Sequence, residues 1–282
     1  MHIDTLASGE TIQKPLSTTD HIKEWGAIAG INASFFLSSD QTGMQNLIGP
    51  MVQSRDIKTA DATFNLDRDN MATFAIDEMK NGIISYWKAD IRIYAPNGEY
   101  ISVSRYNEPY YGYTDFTVLD RKWTAFSVGN RNGYYSDVLE MIVENGTVKE
   151  IRVNMPGTEI PLDGYVVITS GANKSRILEN FKVGDPVRFE VTTTPDWTRI
   201  QMAVSGGGML VVNGVIPEKF THEITGRHPR TAVGVSEDGK TIYMVVVDGR
   251  QSHSIGMTMQ ELAQLMLEIG AYNALAMDGG GS

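Results

Sequence analysis

The most regular pattern of apolar and polar positions lies in the C-terminal quarter of the chain. Two runs rich in β-branched residues, Arg230–Val235 and Thr241–Val247, are separated by Glu237-Asp238-Gly239-Lys240 and predict two strands joined by a turn. A third apolar run, Ala274–Met277, predicts a short buried strand that ends at Asp278.

A helix is predicted between the second and the third of these strands. Thr258 and Glu261 have the spacing of a capping box, and apolar positions recur there at helical intervals, namely Met259, Leu262, Leu265, Met266 and Ile269. A strand, a helix and a strand predict a right-handed parallel crossover. Asp248 and Asp278 would then lie at the carboxyl ends of two parallel strands, the edge where open α/β sheets bind ligands.

The segment from about residue 60 to residue 156 is typical of β-structure. Short strand-like runs flank Pro96-Asn97-Gly98 and Glu144-Asn145-Gly146-Thr147, which predict two hairpins. No internal repeat or low-complexity linker divides the chain. We therefore predict a single domain over residues 1–282 of the α+β class, with a mixed β-sheet core, a C-terminal β-α-β parallel crossover and a β-rich, more divergent middle region.

The N-terminal region predicts one helix and one strand. Residues 17–20 supply helix-capping side chains before His21–Trp25, so a short helix is expected there. Ile31–Phe36 predicts a buried strand that contains the polar residue Asn32. A buried asparagine is either satisfied by neighbouring backbone groups or presented to a ligand.

Composition excludes several classes of function. The chain has 282 residues, 41% hydrophobic and 21% charged, as in an ordinary globular protein. Its formal net charge of −10 argues against a general nucleic-acid binder. No run approaches the roughly 20 apolar residues that span a bilayer, and the first residues lack a signal-peptide pattern. Cysteine is absent, which excludes disulfides and thiolate chemistry.

Two glycine-rich segments are candidate anion sites. The chain ends on Asp278-Gly279-Gly280-Gly281-Ser282, and Ser205-Gly206-Gly207-Gly208 joins two apolar runs. Glycine lets the backbone approach a ligand closely, and successive free N–H groups form anion-binding nests. Each segment is also compatible with a tight turn or bend. An acidic residue beside an anion cradle points to chemistry on a phosphorylated or otherwise anionic group.

Five motifs occur in one order along the chain, and together they resemble the phosphodiester glycosidase family. The motifs are Gly30-Ile31-Asn32-Ala33-Ser34-Phe35-Phe36, Ser205-Gly206-Gly207-Gly208, Pro229-Arg230-Thr231-Ala232-Val233-Gly234, Val247-Asp248-Gly249-Arg250 and Met277-Asp278-Gly279-Gly280-Gly281-Ser282. The resemblance runs from about Asp20 to Ser282. The family more often has glycine in place of Ala33 and Ser34, and it usually continues beyond the last motif.

The resemblance implies hydrolysis of the bond between a sugar anomeric carbon and a phosphodiester oxygen. The sugar would be N-acetylglucosamine or part of a cell-wall or exopolysaccharide glycan. Because phosphate is a stable leaving group, the reaction needs charge stabilisation and an activated water or nucleophile more than strong acid assistance. Asp278 is the expected base or nucleophile, Asp248 its partner or a sugar-hydroxyl acceptor, and Asn32 a group that orients the sugar.

The phosphate is expected to bind Arg230 and Arg250, because guanidinium pairs bidentately with phosphate. Further substrate contacts are expected from Thr231, Gly206, Gly207, Gly279, Gly280 and Ser282. His228 and His253 lie near the motifs and are either acid–base groups or solvated loop side chains.

No set of His, Asp and Glu has the spacing of a zinc site, so no cofactor or metal ligand is expected. A divalent cation held by Asp248 and Asp278 is the alternative.

Two other functions fit these residues. One is a non-catalytic carbohydrate-binding module of a larger wall- or phage-associated protein, and the other is a metal phosphodiesterase that cuts the P–O bond. The expected partner is a glycan or sugar phosphodiester, without nucleic acid or a membrane span, and the oligomeric state is open. By resemblance, a location outside the cell or in a phage is expected over the cytoplasm.

Overall fold

Strands form most of the regular structure. The computed structural model describes residues 2–7, 11–12, 17–38, 45–67, 70–109, 115–133 and 135–280. The α-helices in these ranges are α1 (Thr18–Trp25), α2 (Phe64–Asp67), α3 (Lys174–Asn180) and α4 (Met259–Glu268). None of them is long and apolar enough to cross a membrane.

The strands in the described ranges are β1 (Phe36–Ser38), β2 (Gln45–Leu47), β3 (Met51–Gln53), β4 (Asp56–Asp61), β5 (Ala72–Asp77), β6 (Gly82–Tyr86), β7 (Lys88–Tyr94), β8 (Tyr100–Val103), β9 (Arg105–Tyr106), β10 (Thr117–Leu119), β11 (Val138–Glu144), β12 (Thr147–Val153), β13 (Gly164–Ser170), β14 (Arg188–Thr194), β15 (Ile200–Ser205), β16 (Met209–Val211), β17 (Arg230–Val235), β18 (Ile242–Val247) and β19 (Asn273–Met277). They confirm the strand-rich character predicted for the middle region.

The largest sheet has ten strands in the order β12-β11-β13-β10-β9-β4-β3-β15-β5-β6. Its β9 and β10 are parallel while the other neighbours are antiparallel, so the sheet is mixed, as predicted. A three-stranded sheet, β14-β7-β8, shares an apolar core with it, and β1 pairs with β2. Both predicted hairpins are present, as β7–β8 and β11–β12.

A four-stranded sheet contains the C-terminal strands in the order β16-β19-β17-β18. β17 pairs antiparallel with both β18 and β19, so these two strands run in the same direction with β17 between them. Thr231 lies opposite Met277 and Arg230 opposite Val247, which brings the ends of β18 and β19 to one edge. α4 connects them and has the predicted capping box. The handedness of this connection stays a prediction.

The two faces of the four-stranded sheet pack against different layers. Ala232 and Ala276 face α4, in one apolar cluster with Leu262. Val233 and Met277 belong to a second cluster, which includes residues of β5, β6 and β15 from the ten-stranded sheet. Because successive side chains of a strand point to opposite faces, this alternation decides which side chains meet at the sheet edge.

The N-terminal prediction is confirmed for the helix and wrong for most of the strand. Ser17 caps α1 with its side chain. Ile31–Phe35 is not a strand, and β1 begins only at Phe36. Individual hydrogen bonds hold this segment, without the regular pairing of a β-ladder. One of them runs from the Asp278 N–H to the Ala33 carbonyl at 2.8 Å.

Candidate active site at the end of the C-terminal sheet

A cavity of about 240 Å³ lies where β18 and β19 end. The described residues that line it are Phe35, His222, Ile224, His228, Pro229, Arg230, Arg250, Met259, Ala276, Met277, Asp278, Gly279 and Gly280. It brings together three predicted charged residues, Asp278, Arg230 and Arg250. Because typical ligand pockets measure roughly 300–1,000 Å³, this cavity suits one sugar ring or one phosphate better than an extended glycan.

A wider concavity of about 530 Å³ lies over the turn between β17 and β18. Its polar groups satisfy one another, since the Ser236 hydroxyl donates to Asp238 Oδ1 at 2.6 Å and the Lys240 N–H donates to the same oxygen at 3.0 Å. These bonds lower the pKa of the Asp238 carboxyl. They describe a stabilised turn, so we place the candidate site in the smaller cavity.

Asp278 is held at the cavity by its backbone. Its N–H donates to the Ala33 carbonyl at 2.8 Å, and its own carbonyl accepts a hydrogen bond from Asn32 Nδ2. The carboxylate Oδ1 accepts from the Gly280 N–H at 2.9 Å. In the described part of the chain no basic side chain forms an ion pair with this carboxylate. Its second oxygen is therefore available to a ligand.

Asn32 and Thr231 lie behind the cavity. Asn32 Oδ1 accepts a hydrogen bond from Thr231 Oγ1 at 2.9 Å, while its amide nitrogen donates to the Asp278 carbonyl. Thr231 is fully buried, and neither side chain is among the described residues that line the cavity. This geometry gives both residues a positioning role at the end of β19, and their expected contact with the substrate stays a prediction.

Gly279 is required by the close packing of the strand end beside β17. A Cβ atom at Gly279 would lie 2.7 Å from both Arg230 Cα and the Pro229 carbonyl oxygen. A side chain would therefore force the Asp278 turn away from the sheet. Gly280 contributes its N–H to Asp278, whereas Ser282 lies outside the described residues.

The predicted anion nest at Gly206 and Gly207 is corrected by the structure. The Gly206 N–H donates to the Ala72 carbonyl at 2.9 Å, and the Gly207 N–H donates to the Ala276 carbonyl at 2.7 Å. The Gly206 bond continues the pairing of β15 with β5, and the Gly207 bond joins this segment to β19 of the four-stranded sheet, so both donors are occupied. A Cβ atom at Gly206 would lie 2.2 Å from Leu275 Cδ1, so the glycines serve a tight bend.

Arg230 is buried, with 5% of its surface exposed, and is bonded to backbone carbonyls. Nε donates to Met257 at 2.9 Å, and Nη2 donates to Ile224 and to Gly226 at 2.8 Å. Three of its five N–H donors are thus occupied, which leaves Nη1 and excludes the expected two-nitrogen fork on phosphate. Burial lowers the pKa of the guanidinium against a smaller opposing effect of the Glu223 carboxylate, which is not close enough to form an ion pair with it.

Arg250 is exposed and has no hydrogen bond or ion pair to a described residue. Its backbone is left-handed, with φ of 57°, a conformation that costs a non-glycine residue about 1–2 kcal/mol. The loop around it is closed by the hydrogen bond from Ser254 Oγ to the Asp248 carbonyl at 2.5 Å. The guanidinium at this cavity keeps its planar fork free.

Asp248 does not share the cavity with Asp278. It is exposed and is absent from the described lining residues, although the two strands end at one edge. The strand register, continued by one residue, puts Asp278 on the face of Arg230 and Asp248 on the face of Thr231. The structure therefore does not bring the two carboxylates together at this cavity, and their joint binding of a sugar or a metal ion stays a prediction. In the described ranges no group of three His, Asp or Glu residues is placed to hold a metal ion.

Two aromatic side chains of the cavity were missed by sequence reasoning. His222 and Phe35 both line it, with their ring centroids 5.3 Å apart in an edge-to-face arrangement. A Cβ atom at Gly208 would lie 2.6 Å from the His222 carbonyl oxygen, so the triple glycine makes room for this segment. His222 lies outside regular structure, and no periodic signal marks it.

The histidines singled out from the sequence differ in placement. His228 lines the cavity, and its Nε2 lies 2.9 Å from the Thr225 carbonyl oxygen. Because a carbonyl only accepts, this contact places a proton on Nε2 and leaves Nδ1 as the basic nitrogen of the neutral ring. His253 is exposed and is not among the described lining residues.

The chain has an α+β fold, and its small cavity is lined by one carboxylate and two guanidinium groups. A polar cavity of this kind resembles the active site of an enzyme. The chain belongs to the phosphodiester glycosidase family, whose model matches residues 137–282.

Known proteins resemble the chain over different lengths. A hypothetical protein from Synechocystis has a TM-score of 0.81 at 18% identity over 98% of this chain and 50% of its own. A putative exported protein from Burkholderia pseudomallei K96243 has a TM-score of 0.81 at 22% identity over 99% of this chain and 65% of its own. These two likenesses show the fold, and the chain spans half to two thirds of their length.

A sequence relative is the SPbeta prophage-derived uncharacterized protein YomE of Bacillus subtilis (strain 168). It is 42% identical over 60 residues, which are 21% of this chain and 9% of that protein.

Proposed function

We propose that this chain hydrolyses the bond between the anomeric carbon of a sugar and the oxygen of a phosphodiester. The observation that carries the proposal is the charge of the cavity, where Arg230 and Arg250 face one carboxylate, Asp278, and neither arginine is ion-paired with a described acidic side chain. In a protein of net charge −10, a local excess of positive charge favours an anionic ligand.

Arg250 is the proposed phosphate-binding residue. Its guanidinium offers donors in the planar geometry that matches two phosphate oxygens. Arg230 adds positive charge from the floor of the cavity and the remaining donors of Nη1. Both groups would stabilise the negative charge that stays on the phosphate as the C–O bond breaks.

Asp278 is the proposed base or nucleophile. With Oδ1 fixed by the Gly280 N–H, the other oxygen accepts a proton from water or attacks the anomeric carbon. Ordinary glycosidases add a second carboxyl group about 5–9.5 Å away, and the described lining has none. A phosphate monoester leaves without protonation, so a site with one carboxylate supports this reaction over hydrolysis of an ordinary glycoside.

The size of the cavity supports a substrate that inserts one sugar ring or its phosphate. N-Acetylglucosamine and units of cell-wall or exopolysaccharide glycans are the candidates. A location outside the cell or in a phage fits the descriptions of two similar proteins as exported and prophage-derived. The reaction as proposed uses no cofactor, and activity after exhaustive chelation tests the alternative of a cation beside Asp278.

The para-nitrophenyl ester of a glycosyl phosphate tests the proposal. Cleavage of the C–O bond releases sugar and nitrophenyl phosphate, which turns yellow only when a phosphatase is added. Direct release of yellow nitrophenolate would instead show P–O cleavage and favour the metal phosphodiesterase. Binding of glycosyl phosphates without turnover of any of them would favour the carbohydrate-binding module. Oxygen-labelled water gives the second readout, because C–O cleavage puts the label on the sugar.

A further inference from the structure

β18 is an edge strand of the four-stranded sheet, and its outer edge lacks the usual protection. Its six residues contain no charge and no proline, and its pairing with β17 continues over all six without a bulge. Its outer backbone groups bond to no described residue. Natural edge strands normally carry charges, prolines or bulges that prevent pairing with another chain.

One face of β18 is covered along its length, and the opposite face is covered at Ile242, which packs against the apolar cluster that contains Met277. Tyr243, Val245 and Val247 pack against the cluster around α4. On the opposite face Met244 and Val246 are 46% and 49% exposed. The strand therefore presents both free hydrogen-bonding groups and uncovered apolar side chains.

A second copy of β18 fits this edge in one register better than in its neighbours. Along a strand, every second residue points its backbone N–H and C=O groups outward. When two copies of the strand pair antiparallel around a two-fold axis, the residue on the axis lies opposite the same residue of the other copy. With Met244 on the axis, Ile242 lies opposite Val246. Two residues further along each strand, the same register sets Lys240 of each copy opposite Asp248 of the other.

The charges at the ends of the strand select this register. An axis on Tyr243 would set Asp248 opposite Asp238, and an axis on Val245 would set Lys240 opposite Arg250, so each alternative brings like charges together. Asp248 is exposed, and its carboxylate has no partner in the described ranges.

Lys240 is able to take part in this pairing as it stands. Its ammonium donates to Asn81 Oδ1 and keeps two further N–H donors.

We propose that the protein forms a two-fold dimer in which the β18 strands of two copies pair antiparallel around Met244. The two four-stranded sheets then become one sheet of eight strands, with a Lys240–Asp248 ion pair at each end of the contact. The uncharged strand lets two chains of net charge −10 approach without direct repulsion at the contact. This inference does not rest on the proposed function.

The dimer is expected to be concentration-dependent. One strand from each copy buries less than the roughly 1,200–2,000 Å² of a stable interface. Sedimentation velocity over a wide concentration range should show a monomer that shifts to a dimer. A monomer at every concentration overturns the proposal.

Single cysteines test the register, because the chain has no cysteine of its own. Opposed residues of an antiparallel pair have Cα atoms about 4.5–5.5 Å apart, within the range for a disulfide, so Met244→Cys should cross-link on mild oxidation. Val246→Cys is the matched control, since it is on the same face with nearly equal exposure. Its two copies would lie about 13 Å apart and should stay unlinked. Equal or reversed cross-linking overturns this register.

Charge reversal tests the ion pairs. Lys240→Glu and Asp248→Lys should each weaken dimerisation about fivefold or more, because each brings like charges together at both ends of the contact. The double variant reverses both partners and should restore dimerisation toward that of the original chain. Failure of the double variant to recover overturns the pairing of Lys240 with Asp248.

Discussion

Asn32 and Asp278 are separated by 246 positions in the sequence and joined by a hydrogen bond from the Asn32 amide to the Asp278 carbonyl. The same asparagine accepts from Thr231 on β17, so one side chain ties the end of β19 to the neighbouring strand. The bond fixes the backbone from which the Asp278 carboxylate projects into the cavity. Asn32 therefore fixes the position of the backbone that carries the proposed reactive group.

Asn32→Asp should lower both stability and turnover. The variant keeps an acceptor for Thr231 but replaces the amide donor with an oxygen that repels the Asp278 carbonyl, and the loss of this half-buried hydrogen bond costs about 1 kcal/mol. Denaturant unfolding and steady-state kinetics check this, with the fall expected mainly in kcat. Thr231→Val is the control that removes the hydrogen bond to Asn32 Oδ1 and keeps the amide donor to Asp278, and it should cost less. Unchanged kcat in a folded Asn32→Asp protein would contradict the positioning role.

Asp278→Asn should reduce turnover of the glycosyl phosphodiester by about 10²–10⁴-fold while the protein stays folded, because an amide neither accepts the proton of water nor attacks carbon. Asp248→Asn is the matched control, since Asp248 also follows a strand of this sheet but lies outside the described cavity lining. It should retain most of the activity. Equal losses in both variants would restore the idea of a paired carboxylate site.

The sequence was sufficient for elements whose signals are local. The capping box of α4, the turn at Pro96-Asn97-Gly98 and the apolar runs of the C-terminal strands depend on neighbouring residues, and the structure has each of them. The common edge of β18 and β19 was also predictable, because a strand, a helix and a strand set two ends on one side.

Side-chain direction was not predictable in the same way. Asp248 and Asp278 each follow a strand, but whether they share a face depends on the register of both strands against β17, which differs by one residue between the two. The partners of Arg230 are carbonyls of irregular segments, and such segments have no periodic pattern to locate them. Ile31–Phe35 resembled a strand because Ile31, Ala33 and Phe35 are apolar and alternate with polar residues, but the segment is half-buried without pairing to a neighbouring strand.

Arg230→Met should mainly reduce stability. The substitution leaves the carbonyls of Ile224 and Gly226 without their donor, while the Met257 carbonyl keeps the His228 N–H at 3.2 Å. Because Ile224 and Gly226 are exposed residues to which water has access, we expect a total loss of about 1–3 kcal/mol in the free energy of unfolding, measured by urea denaturation. The neighbouring Arg227→Met is the control, because Arg227 is exposed, and its loss should be smaller. Equal stability of the two variants would contradict the structural role of Arg230.

Arg250 should show the opposite behaviour, with activity lost and stability kept. Arg250→Lys retains the charge but not the planar fork, so the KM for the phosphodiester should rise and kcat/KM should fall at least tenfold, about 1.4 kcal/mol of lost phosphate binding. Arg250→Gly removes the side chain and also relieves the left-handed backbone, so it should unfold at the same or a higher urea concentration while losing more activity. Comparing the two variants separates the guanidinium from the backbone strain. Wild-type kcat/KM in the lysine variant would remove Arg250 from phosphate binding, and wild-type activity in the glycine variant would place the phosphate elsewhere in the cavity.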